Sequence, residues 1–276
     1  MNIRLENQFE RLELIFGKEA IEQLQKKRVA VFGVGGVGGF TVEALARSGI
    51  GTLDIIDNDK IVLSNLNRQI IATHSTLGRD KVDVLEERIH DINPKAKVNK
   101  YKLFYLPDTA QMFDFNEYDY IVDAVDTITA KIDLAYNAYK SNTPIISSMG
   151  AGNKIDPTLF KVDDIFNTTI DPIARVMRYK LRKLGVDRLK VVYSTETPKR
   201  ISDDGVKRTP GSTAFVPSVV GLIIALVSLL LVSKLFEKFE DKANFDLILL
   251  VSGIVFSVLL IAYATFKSYP MDYNSA

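Results

Sequence analysis

Residues 28–71 constrain the fold more than any other stretch of the chain. A short β-branched run, residues 29–32, is followed by the glycine-rich turn of residues 33–38, which reads Gly-x-Gly-x-x-Gly. A helix-like segment then leads to a second apolar run, residues 53–56, which ends at Asp57. This order of strand, glycine turn, helix, strand and acidic residue predicts one half of a doubly wound α/β fold, with a nucleotide at the turn.

Each of these three glycines has a physical role in the turn. Gly33 permits a sharp exit from the strand, Gly35 lets the backbone approach a phosphate, and Gly38 lets the helix pack tightly on the sheet. Gly36 lies in the same turn, where backbone N–H groups at the helix start face an anion. Asp57 is placed to accept a hydrogen bond from a ribose hydroxyl. The motif alone does not separate NAD from ATP, and a tight turn without a ligand is the alternative.

The polar run after Asp57 favours a nucleoside triphosphate. It contributes further candidate nucleotide-binding residues, namely Asp59, Asn65, Asn67, Arg68 and Gln69. Arginine presents a planar fork to phosphate oxygens, whereas a dehydrogenase needs only the ribose acceptor at this point. Lys81 follows in a Gly-Arg-Asp-Lys segment, and Asp126 ends another apolar, strand-like run. An NAD-dependent oxidoreductase is a competing class, although the chain has no evident hydride-handling site.

Strands that alternate with helices predict a Rossmann-like, doubly wound and mainly parallel sheet with flanking helices. Ligands of such sheets bind at the carboxyl ends of the strands. Gly33, Asp57 and Asp126 all fall at such ends, so three separate segments predict one site. Residues 98–105 are predicted as a further strand, and the glycine turn of residues 150–152 either faces the site or is a tight bend.

Composition excludes several kinds of chemistry. The chain has 276 residues, no cysteine and a formal net charge of +1. The lack of cysteine excludes disulfides, cysteine-ligated zinc and a thiol nucleophile. The near-neutral charge excludes a global field for nucleic acids, so any RNA contact must come from a local patch.

Seven motifs occur in order along residues 7–225, and together they resemble an adenylating superfamily. They read GVGGVG, IIDNDKIVLSNLNRQ, GRDKV, INPKAKV, YIVDAVD, YSTE and GSTAFVPSVVGLIIA. The superfamily includes the ThiF, MoeB and ubiquitin-activating enzymes, and within it the chain is most similar to the tRNA threonylcarbamoyladenosine dehydratases. Many relatives use a four-cysteine zinc site or a cysteine thioester, neither of which this chain can form.

The resemblance implies an enzyme that activates a carboxylate with ATP and Mg²⁺. The catalytic residues it implies are Arg68, Lys81, Asp126 and Arg11, with Asp126 as the Mg²⁺ ligand. Arg11 would reach the ATP site of the second subunit in a homodimer, and a solvated helix arginine is the alternative. The implied substrate is N6-threonylcarbamoyladenosine in tRNA, which would be adenylated and then cyclised with net loss of water and without an enzyme thiol.

Two further functions are consistent with the same motifs. One is an adenylyltransferase that activates the C-terminal glycine of a ubiquitin-like sulfur-carrier protein. The other is a non-catalytic, membrane-tethered scaffold that leaves ATP unhydrolysed. The sequence identifies no particular sulfur- or electron-transfer partner.

Residues 172–190 are predicted as a helix with a basic face. The cations are Arg175, Arg178, Lys180, Arg182, Lys183, Arg188 and Lys190, and Lys199, Arg200, Lys207 and Arg208 extend the run. Asp187 is the one acid within residues 172–190. Such a run is either a solvated face or a contact for tRNA phosphates.

Two apolar segments near the C-terminus predict an adenylating unit over residues 1–243 and an anchor over residues 244–276. Residues 219–232 fall short of the ~20 apolar residues that span a bilayer, so they are predicted as a buried helix in the core or at a dimer interface. Residues 247–264 carry no charge. With their flanks they predict a transmembrane helix over residues 245–266, and a buried interface helix is the alternative. Lysines before this segment predict that the enzyme lies at the cytoplasmic face.

Overall fold

The computed structural model describes residues 7–199 and 210–233. The strands within these ranges are β1 (Arg28–Phe32), β2 (Thr52–Ile56), β3 (Lys97–Tyr101), β4 (Tyr120–Asp123), β5 (Ile145–Ser148), β6 (Phe160–Asp164) and β7 (Lys190–Ser194). They form one sheet in the order β3-β2-β1-β4-β5-β7-β6. Neighbouring strands are parallel except β6 and β7, which confirms the prediction of a mainly parallel, Rossmann-like sheet.

Helices cover both faces of this sheet. Within the described ranges they are α1 (Glu10–Phe16), α2 (Lys18–Leu24), α3 (Gly38–Arg47), α4 (Lys81–Ile92), α5 (Ile128–Lys140), α6 (Pro172–Lys183) and α7 (Phe215–Val232). Alternate residues of β1 point to opposite faces, as the pleat requires. Val29 and Val31 belong to the core shared with α3, α4 and α7, whereas Ala30 and Phe32 belong to the core shared with α5.

The strand order reverses beside β1, which has β2 on one side and β4 on the other. Such a reversal opens a crevice outside the carboxyl ends of the strands. The turn after β1 begins with Gly33 at φ +82°, a conformation that favours glycine. A Cβ at Gly33 would lie 2.7 Å from the backbone oxygen of Ala124, and one at Gly38 would lie 1.8 Å from the oxygen of Gly33. Close backbone packing at the crevice therefore requires both glycines.

Helix α7 contains the apolar segment of residues 219–232 but begins earlier, at Phe215. It packs closely on α3, where a Cβ at Gly221 would lie 2.4 Å from the oxygen of Val37. Among the described residues, α7 is the one helix whose length and composition would suit a membrane span, and half of it is buried inside the fold. The other half presents Leu222 and Leu226 to the outside. The predicted boundary at residue 243, the membrane segment 245–266, and the cations Arg200, Lys207 and Arg208 lie outside the described residues.

The predicted helix over residues 172–190 is wrong beyond Lys183. Gly185 adopts φ +76°, and the N–H of Val186 bonds back to the oxygen of Leu181 at 3.0 Å. A left-handed glycine with this return bond is a common helix ending. The chain then enters β7 at Lys190, so Arg188 and Lys190 are not part of the helical basic face.

Candidate functional site

A cavity of about 470 Å³ occupies the crevice at the carboxyl ends of β1, β2 and β4. The predicted site residues in its lining are Gly33, Gly35, Gly36, Asp57, Asp59, Asn65, Arg68, Gln69, Lys81 and Asp126. Gly38, Asn67 and Arg11 do not line it. Gly38 begins α3 beneath the turn, and Arg11 is exposed on α1. Most of the candidate residues therefore lie in one cavity, as expected from the rule that ligands of such sheets bind at the carboxyl ends of the strands.

Packing within the protein does not require a glycine at position 35 of this turn. Apart from its chain neighbours, the nearest atom to a Cβ at Gly35 would be Nε2 of Gln69 at 3.7 Å, an ordinary contact distance. A ligand that approaches this part of the backbone closely would explain why the position is a glycine. Gly150 and Gly152 also line the cavity, so the second glycine turn faces the site as well.

Asp57, Asp59 and Lys81 form an ionic cluster beside the turn. The Asp57 carboxylate accepts hydrogen bonds from the backbone N–H groups of Val34 and Asp59, both at 2.9 Å. Lys81 is buried, with Nζ 2.7 Å from Oδ2 of Asp59 and 3.8 Å from Oδ1 of Asp57. Burial raises the pKa of Asp57, and the charge of Lys81 and the two N–H donors oppose this rise. The cluster fixes the turn from the β2 side and places a cation beside the expected ribose acceptor.

Arg68 and Asn67 connect the cavity to the segment that precedes α7. Arg68 Nη1 donates to the oxygen of Ser64 at 2.7 Å and to Oδ1 of Asn67 at 2.9 Å. Asn67 Nδ2 in turn donates to the oxygen of Ser212 at 3.0 Å. Ser212 and Pro210 line the cavity. Asn67 therefore orients Arg68 and holds this wall in place without lining the cavity itself.

Gln69 has a buried oxygen without a partner. Its Oε1 makes no hydrogen bond to any described residue, and the residue is 7% exposed. A buried polar atom left unsatisfied costs about 1–3 kcal/mol, so such atoms are usually paired. Because Gln69 lines the cavity, this unpaired oxygen lies in the cavity wall.

Two aspartates at the end of β4 have different surroundings. Asp126 is exposed, lines the cavity and accepts a 3.3 Å hydrogen bond from the hydroxyl of Thr127. Asp123 is fully buried, and each of its carboxylate oxygens lies 3.1 Å from Nζ of Lys131. The hydroxyl of Ser147 donates to the same carboxylate. Asp126 therefore keeps free acceptor capacity at the cavity, whereas Asp123 is committed to an internal ion pair.

Lys131 is a cavity-lining residue that sequence reasoning missed. It is 1% exposed, and its Nζ also donates to the oxygen of Ser148 at 2.7 Å. One ammonium thus joins α5 to the ends of β4 and β5. The sequence does contain a signal for it, because Lys131 falls in the core-facing stripe of α5 with Ala130, Leu134 and Ala138. A lysine in an apolar stripe is buried only when it is paired.

Lys154 forms a second buried pair that the sequence did not predict. Its Nζ lies 3.2 Å from Oδ2 of Asp171 and donates to the oxygen of Gly150 at 2.5 Å. Asp171 also caps α6, because its carboxylate accepts from the N–H groups of Ile173 and Ala174. This pair attaches the second glycine turn to the start of α6, and Ile173 also lines the cavity.

Leu103, Phe104 and Tyr105 give the cavity an apolar wall. The predicted strand over residues 98–105 is wrong beyond Tyr101, because the chain leaves the sheet there and carries these side chains to the cavity. The lining therefore combines an apolar surface for a base, a carboxylate for a ribose, and backbone and cationic donors for phosphates. This combination suits a nucleotide.

Comparisons with known proteins point to one family. The model of the ThiF family matches residues 6–250. The chain is 47% identical over 232 residues to the tRNA threonylcarbamoyladenosine dehydratase of Bacillus subtilis, covering 79% of this chain and 91% of that protein. It is 35% identical to the Escherichia coli protein of the same name, covering 74% and 79%. A crystal structure of the E. coli tRNA N6-threonylcarbamoyladenosine dehydratase in complex with ATP matches with a TM-score of 0.75 and 30% identity, covering 85% of this chain and 96% of that one.

Replacing Lys131 by methionine should destabilise the protein strongly. The substitution leaves the Asp123 carboxylate buried without its cation, which typically costs about 3–5 kcal/mol. Urea unfolding would measure the loss in the free energy of unfolding. The double variant Lys131→Met/Asp123→Asn should recover part of it, because the uncompensated charge is removed. An unfolding free energy of Lys131→Met equal to that of the wild type would contradict the ion-pair assignment.

Proposed function

The chain belongs to the ThiF family, and from this membership we propose that it is an ATP-dependent tRNA threonylcarbamoyladenosine dehydratase. The observation that carries the proposal is the cavity, which joins a glycine turn, the expected ribose acceptor, three cations and the exposed carboxylate of Asp126 at one crevice. Similarity to named dehydratases over most of both chains supports the choice of substrate.

The reaction begins with attack of the substrate carboxylate on the α-phosphorus of ATP. The bond to the β-phosphate oxygen breaks, so pyrophosphate leaves and an acyl-adenylate forms. The carbamoyl group of the same substrate then closes onto the activated carbonyl and expels AMP. The net result is a cyclic nucleoside that has lost one water. No enzyme nucleophile takes part, which agrees with a chain that contains no cysteine.

The cavity residues have distinct roles in this scheme. The turn at Gly35 receives the phosphates, and Asp57 accepts from the ribose. Arg68 and Lys81 neutralise charge that develops on the α-phosphoryl oxygens, and fixed charges aimed at a transition state lower its barrier. The amide of Asn67 orients Arg68, and the cavity-lining amides of Asn65 and Gln69 complete the phosphate contacts. Asp59 holds Lys81 in place.

Asp126 suits a Mg²⁺ ion bound between the protein and the phosphates. Mg²⁺ usually takes one or two carboxylates together with phosphate oxygens and water. The exposed carboxylate of Asp126 provides one such ligand at the cavity, whereas the buried Asp123 is held by Lys131. Bound Mg²⁺ would supply further neutralisation of the phosphate charge.

A homodimer in which Arg11 enters the partner's cavity is supported by the surface of α1. This helix has no buried residue. Leu14 is 83% exposed and Ile15 is 72% exposed, and at spacings of three and four residues they share a helix face with Arg11. A second copy of the chain would cover this apolar surface and bring Arg11 with it.

The adenylyltransferase for a sulfur-carrier protein is the second candidate. It would share the adenylation step and the same cavity. The subsequent transfer would have to proceed without an enzyme thioester or persulfide, since the chain has no cysteine. This requirement favours the dehydratase, whose second step is internal to the substrate.

Incubation of the full chain with tRNA containing threonylcarbamoyladenosine, ATP and Mg²⁺ should convert the nucleoside to a product lighter by one water. Mass spectrometry of the digested tRNA measures this conversion, and EDTA should stop it.

Arg68→Ala should lower the rate of this conversion by about 10²- to 10³-fold, since it removes a cation that stabilises the transition state. Lys95→Ala, an exposed cation at the opposite end of the sheet, is the control. ATP–pyrophosphate exchange that responds to a carrier protein but not to tRNA would instead favour the second candidate.

Heterodimers of Arg11→Ala and Arg68→Ala subunits should regain activity if Arg11 acts across the subunit boundary. One of the two sites would then combine an intact Arg68 with the partner's intact Arg11, giving about half of the wild-type rate per dimer. Co-expression with two affinity tags isolates these heterodimers. If Arg11 serves its own subunit, both sites stay defective and no activity returns. Lys18→Ala on the adjoining helix is the matched control for Arg11.

Residues 245–266 are further proposed to anchor the enzyme to the cytoplasmic face of a membrane. The support is their composition, because no charged residue lies between Asp246 and Lys267. Cell fractionation should find the full chain in the membrane pellet after a carbonate wash. A chain that ends at residue 243 should be found in the soluble fraction. Full-length protein released by the wash would contradict the anchor.

A further inference from the structure

Helix α6 has two sharply different sides. Ala174, Met177 and Leu181 are buried against the sheet and α5. The opposite side carries Arg175, Val176, Tyr179, Arg182 and Lys183, and no acidic residue occurs within the helix. At 100° per residue, Tyr179 lies near the centre of this outward side. We call these five residues the α6 face.

Tyr179 is an exposed aromatic ring surrounded by cations. It is 58% exposed, and Arg175, Arg182 and Lys183 are its neighbours at spacings of three and four residues. Lys183 Nζ lies 4.4 Å from the ring centroid, within the range of a cation–π contact. An exposed ring bordered by positive charge is the arrangement that stacks a nucleobase and binds the adjoining phosphates.

The cations on this helix are not equivalent. Arg178 is bound internally, since its Nη1 donates to the oxygen of Thr168 at 3.0 Å. Arg182 lies 5.1 Å from the ring centroid of Phe166, so part of its role is packing. Within residues 7–199 and 210–233, the side chains of Arg175 and Lys180 make no hydrogen bond, ion pair or ring contact, although both residues keep their backbone bonds in the helix. Arg175 and Lys183 are therefore the cations of the α6 face best placed to bind phosphates.

The α6 face is continuous with the mouth of the cavity. Ile173 lines the cavity, and Asp171 fixes the start of the helix through Lys154. Val176, at the edge of the face, follows Ile173 by three residues and is therefore its neighbour on the helix surface, and the face runs about 12 Å along the helix axis from Arg175 to Lys183. A nucleotide chain with one residue in the cavity would have its neighbours over this face.

We propose that the α6 face binds single-stranded RNA next to the reacting nucleotide, with one unpaired base stacked on Tyr179 and flanking phosphates held by Arg175 and Lys183. This inference rests on the proposed tRNA substrate and names its contact surface. An anticodon loop has the required chemistry, because its bases can leave the stack and its phosphates are closely spaced. A protein partner fits less well, since Val176 is the one aliphatic member of the face.

The test compares Tyr179→Ala, Tyr179→Phe and the double variant Arg175→Ala/Lys183→Ala, with Lys95→Ala as the control. Binding of a fluorescently labelled tRNA would be measured at several salt concentrations. Tyr179→Ala should weaken binding about tenfold, whereas Tyr179→Phe should keep the wild-type affinity because the ring remains. The double variant should weaken binding and reduce the salt dependence by the equivalent of about two phosphate contacts. ATP binding and the melting temperature should match the wild type in all variants.

Several outcomes would overturn this inference. Unchanged tRNA affinity in Tyr179→Ala would exclude stacking, and equal losses in Tyr179→Ala and Tyr179→Phe would show that the hydroxyl acts instead of the ring. A wild-type chain that neither binds nor dehydrates tRNA would overturn the proposed function together with this surface. A chain that dehydrates tRNA normally in every variant would overturn the surface alone. Binding of anionic lipid vesicles in place of RNA would assign the α6 face to a membrane.

Discussion

The close packing of the glycine turn after β1 against the backbone after β4 is the constraint on which the rest of the site depends. A side chain at Gly33 or Gly38 would collide with a backbone oxygen, so the turn is held in one conformation. Asp57 holds the other side of the turn through the N–H of Val34. Because β1, β2 and β4 end at the same edge, this packing sets the distance between Asp57 and Asp126.

Much of this architecture could be predicted because its signals are local and its geometry is general. The glycine spacing, the aspartate after β2 and the aspartate after β4 each mark the end of a strand, and parallel strands bring such ends together. That rule places Gly33, Asp57 and Asp126 around one cavity, as the structure does. It extends to Arg68 and Lys81, which follow β2 within a short stretch of chain.

The features that could not be predicted depend on contacts between distant segments. Lys154 resembles a surface lysine until the second glycine turn packs and pairs it with Asp171. Lys131 lies in the apolar stripe of α5, which indicates burial, but its partner Asp123 becomes evident only when α5 packs against the sheet. The end of α6 had a local signal in Gly185, which the long run of cations concealed. The apolar wall at residues 103–105 arises because β3 ends where its partner β2 ends, and the sequence of β3 alone does not mark that point.

The described part of the chain holds three buried lysines, Lys81, Lys131 and Lys154, and each is paired with an aspartate beside the cavity. An ammonium enclosed in this way is shielded from amine-directed labelling reagents, whereas Lys180 and Lys183 on α6 are open to them. Lysine reactivity in the folded protein would thus separate the lysines that hold the cavity wall together from those exposed on α6. Reagents that acylate surface amines would reach the second group while leaving the first intact.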